Sequence, residues 1–184
     1  MRSFFTIHAG EYLTACYIET KFPDLRVWIP SKDEGIDLLI TSKKRSKQVA
    51  LQVKLSKDFL PTNASASMQS DLKAFGWWTL DAGKIASSIA DFWVFVLPSF
   101  KENETSYIVI RPSELLQKYR AIHGKDQRIQ SYLWVTSGGQ CWETRGKGLT
   151  AADKTKIVEG TFRHPDRDFT PHLNNWKPLE KRLS

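Results

Sequence analysis

The sequence predicts an α/β fold with a mixed central sheet flanked by helices. Three observations support this. A helix-period stretch near the N-terminus is followed by three short strand-like runs. A continuous apolar run and a second strand lie in the middle of the chain. A helix opened by proline and closed by glycine comes directly after them. The 184 residues suit one domain with a short extension, read here as residues 1–150 with a C-terminal helix and extended tail over 151–184 packing on the same domain.

The elements follow in order. Residues 11–22 read as a helix, because Ala15, Ile18 and Phe22 fall four, seven and eleven positions after Glu11 and all four share one face. A carboxylate thus stands at the N-terminal end of an inward stripe, and Pro23 stops the helix. Residues 25–29 are an expected strand ending at Pro30, residues 31–35 a polar turn, and residues 36–41 a second strand. A basic turn over 42–48 carries Lys43, Lys44, Arg45 and Lys47. In the third strand, residues 49–55, alternation separates Val49, Leu51, Val53 and Leu55 from Ala50, Gln52 and Lys54. These strands form a meander beside the first helix.

Residues 60–70, rich in Ser, Ala, Asn and Thr, read as a mobile loop. Residues 74–80 are an apolar patch without an assigned element; its adjacent Trp77 and Trp78 are expected to divide between core and an interface. Residues 82–90 are weakly helical. Residues 92–97 and 107–110 are strands separated by a charged turn over 101–105. Pro112-Ser113 opens a helix that runs to Ile122 and closes at Gly124. A hairpin pairs residues 132–136 with 140–144 around Gly138-Gly139. Thr150 and Asp153 have the spacing of an N-cap and its third-position acid for a short helix over 150–158. The tail, with Pro165, Pro171 and Pro178, is expected to wrap the surface, pinned by Phe169 and Trp176.

Composition narrows the function. Lys and Arg total 27 against 20 Asp and Glu, a net charge of +7 that fits a polyanionic partner. The two cysteines, Cys16 and Cys141, form no C-x-x-C pair and are expected to be small core residues in a reducing, cytoplasmic setting. No stretch approaches the ~18 apolar residues of a membrane span. No phosphate-binding glycine loop, dinucleotide fingerprint or nucleophile elbow is present.

Chemistry concentrates in three segments: Gly10-Glu11 on the first helix, Gly35-Ile36-Asp37 entering the second strand, and Gln52-Val53-Lys54 in the third. Hydrolysing a phosphodiester requires neutralising its oxygens and delivering a polarised water in line. A carboxylate can hold a cation for the first task, and a lysine can orient water and stabilise developing charge. Gln52 and Lys54 emerge on one strand face about 7 Å apart. Each residue also has an ordinary reading: Glu11 as an acid favouring the helix dipole, Asp37 as a strand-end residue, Gln52 and Lys54 on a solvated face.

These segments resemble the PD-(D/E)XK nuclease superfamily, in its Mrr-like and Holliday junction resolvase-like branch. The resemblance covers about residues 5 to 56 and implies a restriction endonuclease-like αβββαβ core. It implies a Mg²⁺-dependent DNA endonuclease, with Mn²⁺ able to substitute, leaving 5′-phosphate and 3′-hydroxyl ends and working as a homodimer. Asp37 would be the principal metal ligand, Glu11 a second, directly or through water, Gln52 a third through its amide, and Val53 would offer its carbonyl; Lys54 would be the catalytic lysine. Gln52 departs from the usual acid, which points to one metal rather than two. The departure also keeps open a catalytically inactive DNA-binding or regulatory protein on the same fold. Lys43, Lys44, Arg45, Lys47 and Lys57 are the candidate nucleic-acid contacts, and nothing in the chain separates DNA from RNA as the partner.

Overall fold

The structure, a computed structural model, describes residues 8–32, 34–43, 47–57, 70–99 and 103–184. Helix α1 (Ala9–Lys21) precedes β1 (Leu25–Trp28), β2 (Leu38–Ser42) and β3 (Gln48–Leu55). Strand β4 (Leu72–Asp81) and the short α2 (Ala82–Ala86) lead to β5 (Phe92–Ser99) and β6 (Glu104–Ile110). Then come α3 (Pro112–His123), β7 (Arg128–Thr136), β8 (Cys141–Glu143), α4 (Ala151–Val158), a 3-10 turn (Thr170–His172) and α5 (Lys177–Leu183).

The protein is α/β, with a mixed five-stranded sheet in the order β1-β2-β3-β5-β6 and a second sheet in the order β4-β7-β8. All neighbours are antiparallel except β3 and β5, which run parallel with Gln52 beside Trp93 and Val53 beside Val94. The apolar run of β5 is buried on both faces, as a strand reads when both sides are covered. Phe92, Val94 and Val96 meet Ile18 of α1, Leu51 of β3 and Leu179 of α5 in one core. Trp93, Phe95 and Leu97 meet Trp78, Leu133 and Tyr119 in a second, against the three-stranded sheet and α3. The outer face of that sheet is covered by Ile157 of α4 and by Phe162, packed on Phe75, Trp134 and Trp142.

The expected α1, β1, β3, β5, α3, Gly138-Gly139 hairpin and α4 are present within a few residues, and α4 carries the reciprocal cap between Thr150 and Asp153. Several expectations are corrected. Residues 74–80 are part of a ten-residue strand, in which Trp78 is a core residue at 6% exposure and Trp77 is exposed at 39%. Strand β2 opens at Leu38, so Asp37 sits in the bend before it. Helix α2 ends at Ala86 rather than near Ala90. Phe169 and Trp176 are buried, yet the tail is not wholly extended. Pro178 falls in the first turn of α5, where its missing N–H costs no bond. Cys16 is exposed and only Cys141 is a core residue. The reason is helical phase: α1 buries Gly10, Thr14 and Ile18, and Cys16 points elsewhere. The expected loop over 60–70 lies outside the described residues except for Ser70, as does part of the expected turn over 101–105. Among the described residues no helix is long and apolar enough to cross a membrane.

Candidate active site

Strand β3 positions the site because its two faces differ. Val49, Leu51 and Val53 are buried in the core beneath α1, while Gln52 and Lys54 emerge half-buried on the other face. The Lys54 ammonium lies 5.6 Å from the centre of the Trp93 ring on β5.

Asp37 reaches β3 from the neighbouring chain segment. Its N–H donates to the Leu51 carbonyl at 2.8 Å. Its Oδ2 accepts the Val53 N–H at 2.6 Å and the Gln52 side-chain amide. The carboxylate stands in for a strand partner just where β2 has not yet begun.

Glu11 comes from α1. Gly10 permits the approach, since a Cβ at that position would lie 2.8 Å from Leu55 Cβ at the end of β3. Glu11 Oε2 accepts the His8 N–H at 3.2 Å, closing the first turn of the helix.

Glu11, Asp37, Gln52, Val53 and Lys54 all line one cavity of about 730 Å³. Glu34 and His8 line it too. From the other face of the sheet come Lys84, Ser87, Ser88 and Ile89 in the α2–β5 segment, with Trp93. Sequence reasoning missed this second group. It lies some thirty positions beyond β3, and only the parallel pairing of β3 with β5 brings it alongside Gln52. The one local signal was Asp81, an N-cap acid three residues before Lys84.

Lys54 and Lys84 share the cavity with three carboxylates, yet among the described residues neither is in salt-bridge contact with one. Among the described residues, neither ammonium is therefore committed to a carboxylate by direct contact.

The basic turn lies elsewhere. It joins the far ends of β2 and β3, six residues from Lys54 along the strand, or ~20 Å. Lys43 pairs with Asp24 at 3.8 Å, both exposed, and the Lys47 ammonium donates to the Ser184 carbonyl. Lys44 and Arg45 lie outside the described residues. Lys57 is exposed just past β3 and does not line the cavity.

Among the described residues no three of His, Cys, Asp and Glu are grouped to hold a metal by themselves. The donors at the cavity are two motif carboxylates, an amide and a backbone carbonyl, an oxygen set that suits a hard, partly hydrated cation. Asp37 Oδ2 already takes two donors, so its Oδ1 would ligate. Gln52 presents its NH₂ to Asp37 and would ligate through Oε1 once the amide turns over. Compared with protein-family models, with curated proteins and with solved structures, the chain finds no match.

Proposed function

We propose that this protein is a Mg²⁺-dependent DNA endonuclease of the PD-(D/E)XK type. One observation carries the reading. Glu11, Asp37, Gln52 and Lys54 come from three separate segments and line the same cavity, with the lysine in salt-bridge contact with no carboxylate among the described residues. The order α1, β1, β2, β3, then β5 parallel to β3, is compatible with a restriction endonuclease-like αβββαβ core. In place of a long helix, the described part of the β3–β5 crossover holds β4 and the five-residue α2.

In this reading Asp37 and Glu11 hold the cation, helped by the Gln52 amide oxygen and the Val53 carbonyl. Mg²⁺, or Mn²⁺ in its place, would neutralise phosphoryl oxygens and acidify a bound water. Lys54 would orient the attacking water and stabilise charge developing on the phosphate. Gln52 brings no charge, so the two carboxylates favour one cation over two. A homodimer would bring two cavities to two strands. The test is cleavage of supercoiled and branched DNA in Mg²⁺ or Mn²⁺, with calorimetry to detect Mn²⁺ binding directly.

A second reading is favoured by the bonds at Asp37. A carboxylate already tied to Val53 N–H and the Gln52 amide can serve as a strand cap alone. The protein would then bind DNA, or regulate another enzyme, without cutting. Salt-dependent DNA binding with no Mn²⁺ uptake and no cleavage would select this reading.

A further inference from the structure

We infer that Lys84 is a substrate-anchoring residue, taking a phosphate of the nucleic-acid strand bound in the cavity; the inference rests on the cavity being the nucleic-acid site proposed above. A strand carries a negative charge at every nucleotide. A cation held by Asp37 and Glu11, with Lys54, can neutralise the phosphate being cut but leaves its neighbours uncompensated. Among the described residues, Lys54 and Lys84 are the two lysines that line the cavity. The lysines of the basic turn that are described stand ~20 Å away at the other end of β3.

Lys84 is also held in place. The Asp81 carboxylate accepts the Lys84 backbone N–H at 2.8 Å and the Gln127 amide at 2.9 Å, fixing the start of α2. Ile85, the next residue, is 1% exposed and anchors α2 in the core. Past the helix, Ser88 Oγ accepts the Trp93 indole N–H at 2.9 Å, tying the segment to the cavity wall. The backbone is thus committed while the exposed Lys84 ammonium, near enough to Asp81 to help lower its pKa but in salt-bridge contact with no carboxylate among the described residues, can turn to an anion.

The experiment measures binding of a fluorescent DNA oligonucleotide across a salt series, with Ca²⁺ replacing Mg²⁺ to prevent cutting, and cleavage in Mg²⁺ alongside. Lys84→Ala removes no backbone bond, so folding is retained, as circular dichroism would verify. The variant should bind roughly threefold to tenfold more weakly at low salt, with the slope of log affinity against log salt smaller by about one. In cleavage its KM should rise while kcat stays within about twofold. Lys84→Arg should restore binding, and Lys177→Ala, on α5 outside the cavity, should leave it unchanged. Wild-type affinity and slope in Lys84→Ala would overturn the inference, as would a wild type that binds no DNA. A wild type that binds without cutting, with binding weakened by Lys84→Ala, would uphold the anchor and discard the nuclease. Cleavage lost in Asp37→Asn but untouched in Lys84→Ala would do the reverse.

Discussion

Asp37 and Gln52 share one hydrogen bond, and the choice of amide over acid at position 52 has a measurable consequence. A neutral amide can donate to Asp37 without a cation present; a second carboxylate could not, because like charges so close repel. Gln52→Glu is therefore expected to lower the melting temperature in EDTA and to gain more than wild type when Mg²⁺ is added, since ligand binding stabilises by mass action. Equal gains in the two proteins would show that position 52 does not face the cation. A second residue-scale prediction lies outside the cavity. Glu143 is fully buried, accepting the N–H groups of Tyr132 at 3.0 Å and Arg145 at 2.7 Å and the Ser131 hydroxyl. Burial pushes its carboxyl above the ordinary value of 4.5, against the pull of those bonds and of Arg167. The folded state then binds the proton more tightly than the unfolded one, so this group's contribution to stability falls as pH rises upward from that value. Melting of Glu143→Gln relative to wild type should accordingly improve as pH rises above 4.5; a difference independent of pH would contradict it. At this scale Gln52 and Lys54 were legible because period-2 alternation sets them apart from Val, Leu and Ala. Lys84 was not, since no local pattern announces a contact made across a sheet.

Helix α1 reaches β3 only because residue 10 has no side chain. Gly10→Ala would put a Cβ 2.8 Å from Leu55 Cβ, so the helix start must lift from the strand and carry Glu11 with it. The expected outcome is cleavage reduced at least tenfold, with stability lowered by about 1–3 kcal/mol in urea titration. Full activity would place Glu11 outside the chemistry. At the other end of the chain, Leu179 of α5 is fully buried in the core that holds Ile18, Leu51 and Phe92. Leu179→Ala should cost about 2–5 kcal/mol, read by the same titration. A loss under ~1 kcal/mol would mean that α5 docks only weakly. Neither β4 nor α5 was legible, for different reasons. Strand β4 is buried on one side by the five-stranded sheet and largely covered on the other by α4 and its neighbours, so its apolar residues do not alternate. The last segment holds Pro178, which reads as a breaker until it is seen in a first turn.

Across the whole molecule, the parallel pairing of β3 and β5 is the feature that builds the cavity. It sets a segment from each face of the five-stranded sheet around the same strand end, with Glu11 arriving from α1 and Lys84 from α2. The alternation of helical and strand-like runs made the α/β class legible, and the mixed sheet was expected with the family resemblance; the second sheet was not legible, because its long-range pairings leave no signal in local spacing. The net charge of +7 fits a nucleic-acid partner but does not say where it binds; the cavity is the place we propose for it. Whether this cavity cuts DNA is decided by cleavage of supercoiled and branched DNA in Mg²⁺ or Mn²⁺, comparing wild type with Asp37→Asn and Lys54→Gln, both of near-wild-type size. Cutting that depends on the metal and falls at least about a hundredfold in each variant is the predicted result. Cutting that survives both substitutions, or none from the wild type on any DNA, would contradict it.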